Sequence, residues 1–130
     1  MRIFLDANIL FSAAQPHSRT HAFLELLSGR ADFLTNAYAM EEARRNLELK
    51  FPDGLRALER LARQCEMVSQ LVTDLKVELP LKDRPILGGA IAGRATHLLT
   101  GDERDFGKFW GKTVQGVRIV SPKMLAEEVL

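Results

Sequence analysis

The sequence lacks the features that mark secreted and membrane-spanning proteins. It contains a single cysteine, Cys65, which excludes an internal disulfide and fits a reducing compartment. It also has no long hydrophobic run, because Asp6 and Asn8 interrupt the apolar N-terminal segment within ten residues. That segment is too short for a secretory signal or a membrane span. We therefore expect a cytoplasmic protein that has no membrane partner.

An excess of either charge is also missing. The 18 Lys and Arg residues nearly balance the 17 Asp and Glu residues, for a formal net charge of +1, so composition alone does not indicate nucleic-acid binding. Hydrophobic residues make up 46% of the chain and charged residues 27%, which is typical of a globular protein with a core. No break in composition divides the chain. We expect one domain over residues 1–130.

Short apolar segments alternate with segments of helical character. The expected strands cover residues 2–5, 32–35, 97–100 and 116–120, with a weaker candidate at 66–69. The expected helices cover residues 18–27, 38–50, 55–62, 85–93 and 102–110, and a last one opens at 121–122. Residues 7–17 are expected to form a loop, and residues 69–81 give no clear pattern. This alternation predicts an α/β protein, a three-layer sandwich whose mostly parallel sheet has helices on both faces.

Two aspartates lie at or just after the ends of predicted strands. Asp6 ends the first strand, and Asp102 follows the strand that ends at Thr100. Ligand sites of parallel sheets form at the carboxyl ends of the strands, so both side chains are expected at one edge. A charge so close to the core is costly unless it is paired or bound to a metal, and Asn8 could orient Asp6 by a hydrogen bond. The alternatives are that Asp6 caps the following turn and that Asp102 belongs to a plain turn.

Further acids lie where the fold could bring them to the same edge. Glu41 and Glu42 stand early in the helix over 38–50, and only one can face the sheet because helix neighbours diverge by about 100°. Asp83 precedes another helix and could instead cap it. Asp105 lies three residues after Asp102, on the same side if the segment is helical.

Several carboxylates in one pocket repel each other and do not all stay ionised at neutral pH without a cation. Mg²⁺ and Mn²⁺ are hard ions that favour oxygen ligands. Two such ions about 3.5–4 Å apart can activate a water and stabilise the leaving oxygen of a phosphodiester. The predicted chemistry is therefore metal-dependent hydrolysis of a phosphodiester.

Four segments resemble the PIN-domain (PilT N-terminus) nuclease family, many of whose bacterial members are toxins of toxin–antitoxin pairs. They are residues 3–10 (IFLDANIL), 36–47 (NAYAMEEARRNL), 82–107 (KDRPILGGAIAGRATHLLTGDERDFG) and 116–122 (GVRIVSP). The resemblance implies a five-stranded, mostly parallel sheet. It also implies a Mg²⁺- or Mn²⁺-dependent endoribonuclease acting on single-stranded RNA, a homodimer and a cognate antitoxin.

The resemblance assigns a role to each acid. It implies that Asp6, Glu42, Asp83 and Asp102 are catalytic metal ligands, with Glu42 favoured over Glu41, and that Asp105 is an accessory metal ligand. The alternative function is a catalytically silent PIN-like module that binds RNA or protein, although no acid of the set is missing. A phosphatase with an aspartyl nucleophile at Asp6 is disfavoured, because such enzymes usually need a second acid where Asn8 stands.

Overall fold

A computed structural model describes residues 1–130 as a six-stranded sheet flanked by helices. The strands are β1 (Arg2–Leu5), β2 (Asp32–Thr35), β3 (Cys65–Met67), β4 (His97–Leu99), β5 (Thr113–Val114) and β6 (Val117–Val120). The helices are α1 (Ala7–Ala13), α2 (Arg19–Leu27), α3 (Ala37–Lys50), α4 (Leu55–Arg63), α5 (Arg84–Ala92), α6 (Glu103–Phe106) and α7 (Pro122–Val129). Short 3₁₀ turns cover Pro52–Gly54, Leu81–Asp83 and Gly107–Phe109.

The strand order is β3-β2-β1-β4-β6-β5, and every pairing is parallel except that of β5 with β6. The predicted mostly parallel sheet flanked by helices is confirmed, with six strands instead of five. The added strand, β5, is half of a hairpin that turns at Gln115 and Gly116, whose φ angles are 48° and 89°. Two residues are too few to show an alternating pattern, so this strand could not be recognised from periodicity.

The loop expected after Asp6 is wrong, because residues 7–13 form helix α1. Asp6 is its N-cap, and Asp6 Oδ1 accepts a 2.6 Å hydrogen bond from the Ala7 amide. Four of the seven helical residues are buried, and the helix packs against α2, α3 and α4. Its length of only two turns hid the helical period in the sequence.

One continuous core of 28 buried hydrophobic residues holds these elements together. At its centre lies β1, whose residues Ile3, Phe4 and Leu5 are all fully buried. A parallel strand with helices on both sides buries side chains on both of its faces, which explains why this strand is continuously apolar. The carboxyl end of β1 is therefore held rigidly, and Asp6 with it.

Two adjacent glycines allow other parts of the chain to approach α5 closely. A Cβ on Gly88 would lie 2.4 Å from the Val72 carbonyl oxygen, and one on Gly89 would lie 2.4 Å from Asn36 Nδ2. Glycine costs roughly 1 kcal/mol in a helix relative to alanine. The close contacts explain why α5 tolerates that cost twice.

The segment that gave no clear pattern, residues 69–81, contains neither helix nor strand until Leu81, and Val72 contacts α5. The Val72 amide donates to the Gly88 carbonyl at 3.1 Å. Farther along, Gln115 accepts from the Lys76 amide at 2.8 Å and donates to the Asp74 carbonyl at 3.2 Å. These contacts are with distant parts of the chain, so no local sequence pattern predicts them.

None of the helices is both long enough and apolar enough to cross a membrane.

Candidate metal centre

Asp6 and Asp102 lie at the same edge of the sheet, as predicted. They follow β1 and β4, which are neighbours with Leu5 opposite Leu99. Thr100 connects them: its hydroxyl donates to Asp6 Oδ2 at 2.7 Å, and its oxygen accepts from the Asp102 amide at 3.1 Å. Asp6 is only 3% exposed. It caps α1, as one of the alternatives predicted, and also places a buried carboxylate at this edge.

Asn8 orients the Asp6 carboxylate, as expected from its position. Its Nδ2 donates to Asp6 Oδ2 at 3.2 Å, and its Oδ1 accepts from the Gly101 amide at 2.8 Å. The side chain therefore ties the start of α1 to the loop after β4. Both oxygens of Asp6 already accept hydrogen bonds from the protein.

Three acids converge beside Asp6. One carboxylate oxygen from each of Asp83, Asp102 and Asp105 lies within 4.8 Å of the other two. Asp102 is the N-cap of α6, and its Oδ1 accepts from the Asp105 amide at 3.1 Å, which brings both acids to one side of the turn. Asp83 makes no side-chain capping bond to α5, so its interpretation as a simple helix cap is wrong.

Two oxygens of this cluster are buried without a hydrogen-bond partner: Asp83 Oδ2 and Asp105 Oδ2. Asp83 itself is only 6% exposed. A buried carboxylate oxygen with no donor is expensive, and a bound cation removes that cost. All three side chains offer only oxygen, the donor that Mg²⁺ and Mn²⁺ prefer. These residues therefore fit a hard divalent ion.

The two adjacent glutamates of α3 have different surroundings. Glu41 is exposed and forms ion pairs with Arg44, including a 2.9 Å bond to Nε, and Arg44 also pairs with Glu48. Glu42, in contrast, acts on Asp6 and Tyr38: burial raises the pKa of each most, and the charge of Glu42 raises both further. Glu42 is thus the glutamate on the side of the acidic cluster. Asp6 and Glu42 adjoin the three converging aspartates but are not among the 4.8 Å group.

Burial disfavours ionisation of two of these acids. It raises the pKa of Asp6 from 3.8 to about 6, against the hydrogen bonds from Thr100 and Ala7, and the charges of Glu42 and Asp102 act in the same direction as burial. It also raises the pKa of Asp83 to about 7, helped by the contact with Asp105. The same contact, together with Lys82, lowers the pKa of Asp105. Of the two, Asp83 therefore keeps its proton to the higher pH.

Lys82 is the one base whose ion pair joins it to the converging aspartates. Its Nζ lies 3.1 Å from Asp105 Oδ2. The direct contact with Asp105 raises the pKa of Lys82 most, and the charges of Asp83, Asp105 and Asp102 raise it further.

Two residues at the site were not predicted from the sequence. The sequence pattern identifies Thr100 only as the end of a strand and Tyr38 only as the beginning of a helix. Tyr38 lies one turn before Glu42 on α3. Burial raises the pKa of its hydroxyl most, and the charges of Glu42 and Asp83 raise it further. Helical spacing of four residues from Glu42 was the signal that could have identified it.

Neither family models nor curated protein sequences match this chain. Among solved structures, it is similar to VapBC2 from Rickettsia felis bound to a promoter DNA fragment, with 19% identity and a TM-score of 0.66 over 93% of this chain and 98% of the matched one. It is also similar to VapBC-1 from nontypeable Haemophilus influenzae, with 15% identity and a TM-score of 0.63 over 95% and 99% of the two chains. A third match is FitAB bound to an IR36 DNA fragment, with 19% identity and a TM-score of 0.57 over 92% and 94%.

Identities this low establish similarity of fold alone. The matched structures are toxin–antitoxin complexes whose toxin subunits are PIN domains, and the match extends over most of this chain. The PIN-like fold expected from the four sequence segments is thereby confirmed.

Proposed function

We propose that this protein is a divalent-metal-dependent endoribonuclease that hydrolyses phosphodiester bonds of single-stranded RNA. The observation that carries the proposal is the convergence of three aspartates, two with buried oxygens that accept no hydrogen bond, at the carboxyl edge of the sheet. The similarity to PIN-domain structures supports it at the level of fold.

The proposed catalytic residues are Asp6, Glu42, Asp83 and Asp102, with Asp105 as a further metal ligand. Asp83, Asp102 and Asp105 would hold Mg²⁺ or Mn²⁺ directly, since their oxygens already lie together. Asp6 and Glu42 add negative charge beside them. The bound ion would activate a water and stabilise the charge on the leaving oxygen.

Hydrogen bonds within the protein orient the carboxylates of Asp6 and Asp102. Thr100 and Asn8 hold the Asp6 carboxylate by hydrogen bonds of 2.7 and 3.2 Å. The 3.1 Å bond from the Asp105 amide fixes Asp102 at the start of α6. These contacts keep the acids in place before a metal or substrate arrives, which lowers the cost of assembling the site.

The partners of the structural neighbours extend the proposal. Because those structures are toxin–antitoxin complexes, we assign this chain the role of a VapC-like toxin that is held inactive by a protein antitoxin. We further assign it a homodimeric state and a cytoplasmic location, in keeping with its single cysteine.

The test is cleavage of a mixed pool of single-stranded RNA by the purified protein in Mn²⁺, Mg²⁺ or EDTA. We expect cleavage with either metal, none in EDTA and none by Asp6→Asn. Asp32→Asn is the matched control, because it makes the same change at an exposed position at the start of β2, at the amino-terminal ends of the parallel strands. Mn²⁺ should also raise the melting temperature of wild type more than that of Asp6→Asn.

Two results would contradict the proposal. Cleavage by Asp6→Asn at the wild-type rate would remove Asp6 from the mechanism. RNA binding by wild type without cleavage in any metal would identify a catalytically silent module instead.

A further inference from the structure

Lys82 places a positive charge within the cluster of acids. Its Nζ lies 3.1 Å from Asp105 Oδ2, one of the buried oxygens that accept no hydrogen bond. The other ion pairs of the structure join residues outside the three converging aspartates. Lys82 is therefore the internal counter-ion of this cluster when no metal is bound.

The ion pair between Lys82 and Asp105 can be broken easily, because its lysine is largely exposed to solvent. Of the Lys82 side chain 62% is exposed, against 12% of the Asp105 side chain. The ammonium end of this ion pair lies in solvent, where water and salt compete with the carboxylate, so the pair holds Lys82 only weakly. An ion with two charges and no side-chain entropy to lose would displace the ammonium from Asp105 Oδ2.

A displaced Lys82 remains beside the metal. It belongs to the 3₁₀ turn Leu81–Asp83 and immediately precedes Asp83, so the chain keeps its ammonium next to the acids. A flexible, exposed ammonium next to a metal-bound phosphodiester is well placed to contact a phosphate oxygen. The same group would then have one partner before metal binding and another afterwards.

We propose that Lys82 is a counter-ion that the divalent metal displaces from Asp105 and that then binds the phosphate of the RNA substrate. This inference rests on the proposed function, since it concerns the metal and substrate of the same site. Its consequence is that Lys82 weakens metal binding and strengthens RNA binding. A residue with only a structural role would not change these two affinities in opposite directions.

The metal arm of the test is a calorimetric titration of the full chain with MnCl₂ at low ionic strength. We expect Lys82→Met to bind Mn²⁺ up to about fivefold more tightly than wild type, because the metal no longer competes with the ammonium. Lys76→Met is the matched control: it removes another exposed lysine paired with an aspartate, Asp74, on the segment that bonds to Gln115. We expect it to leave Mn²⁺ affinity unchanged.

The RNA arm measures KM for a single-stranded RNA oligomer at several salt concentrations with saturating Mn²⁺. Loss of one phosphate contact should raise KM and reduce the slope of log KM against log salt by about 0.7. Lys82→Arg should keep the wild-type slope, since guanidinium also binds phosphate. Lys76→Met should keep it as well.

The outcomes separate this inference from the function on which it rests. If wild type binds no Mn²⁺, the proposed metal site and the role of Lys82 are both overturned. If wild type binds Mn²⁺ but Lys82→Met binds it equally or more weakly, only the role of Lys82 as a counter-ion is overturned. An unchanged KM and salt slope in Lys82→Met would overturn its role in binding phosphate.

Discussion

The Thr100 hydroxyl donates a 2.7 Å hydrogen bond to Asp6 Oδ2 and thereby joins the ends of two neighbouring parallel strands. The Thr100 hydroxyl oxygen in turn accepts from the Asp102 amide at 3.1 Å and from Asn8 Nδ2 at 3.3 Å. Thr100 is fully buried. One hydroxyl thus links two acids that are 96 positions apart in the sequence, numbered 6 and 102.

Thr100→Val should destabilise the protein and shift its activity to higher pH. The variant keeps the shape of the side chain but removes the buried hydrogen bond to Asp6 Oδ2 and leaves the part-buried Asp102 amide without its partner, at an expected cost of about 1–3 kcal/mol in the free energy of unfolding. The hydrogen bond from Thr100 lowers the pKa of Asp6, so its loss should move the acidic limb of the pH–rate profile upward. Urea unfolding and kcat/KM against pH measure the two effects. Thr100→Ser, which keeps the hydroxyl, should show no pH shift, and a Thr100→Val variant as stable as wild type would contradict the argument.

The metal-free protein should lose stability as the pH rises from about 4 to 7. The folded pKa values of Asp6 and Asp83 are about 6 and about 7, both above the ordinary value of 3.8. In this window the folded state binds more protons than the unfolded state, so the free energy of unfolding falls with rising pH. Their contribution is fully present below pH 3.8 and is lost as the pH rises through the two folded values. Urea unfolding in EDTA across this range measures the slope.

Because other groups also titrate in this range, the pH dependence of stability is compared between wild type and Asp83→Asn. Burial lowers the pKa of His97, which acts in the opposite direction below pH 6.5, and Asp105 has a lowered pKa that matters only below 3.8. His97 remains in the variant, and the comparison is made above pH 5, outside the range in which the lowered pKa of Asp105 matters, although Asp105 loses its contact with the Asp83 carboxyl. We expect a smaller fall in stability between pH 5 and 7 for Asp83→Asn. Identical pH dependence in the two proteins would show that the Asp83 carboxyl is not perturbed.

The features that the sequence predicted well depend on strong local patterns. The continuous apolar run of β1 and the charge that follows it placed Asp6 at the edge of the sheet, and the strand ending at Thr100 placed Asp102 there. The parallel topology then brought both together. Asn8 was also identified, because two residues is a short enough separation for its side chain to reach Asp6.

The features that were missed depend on tertiary contacts or on short elements. Helix α1 has two turns and β5 has two residues, too few for a clear period. The ion pair of Lys82 with Asp105 requires the segment before α5 to meet the start of α6. Nothing local to either residue indicates that meeting.

Glu42→Gln should reduce metal-dependent RNA cleavage by about 10²-fold or more, whereas Glu41→Gln should retain most of it. The charge of Glu42 acts on Asp6, while Glu41 is occupied by an exposed ion pair with Arg44. A carboxylate at a metal site stabilises the transition state by several kcal/mol, whereas an exposed ion pair such as that of Glu41 contributes little. Each variant removes one charge from adjacent positions of the same helix, so each controls for the other. A larger loss in Glu41→Gln would reverse the assignment.

Gly89→Ala should destabilise the protein by about 1–3 kcal/mol, although alanine is the better helix former by about 1 kcal/mol. The added Cβ would lie 2.4 Å from Asn36 Nδ2 and 3.2 Å from the Phe4 ring. Asn36 has little freedom to move, because its Nδ2 donates to the Pro85 carbonyl at 3.1 Å and its Oδ1 accepts from the Ala39 amide at 2.9 Å. Urea unfolding measures the loss of stability. A gain in stability would show that the space between Gly89, Asn36 and Phe4 has room for a methyl group.

A double-variant cycle that combines Gly89→Ala with Asn36→Ala tests whether this contact is the cause. Asn36→Ala alone should cost about 1 kcal/mol, the usual value for a lost N-cap. Since it also removes the amide nitrogen that the added methyl group would meet, the double variant should lose less stability than the sum of the two single variants. Asn36 joins the start of α3, which carries Glu42, to the start of α5, which follows Asp83. Both single variants should therefore also weaken Mn²⁺ binding, and additive losses with unchanged Mn²⁺ affinity would mean that Asn36 supports neither the packing nor the acids.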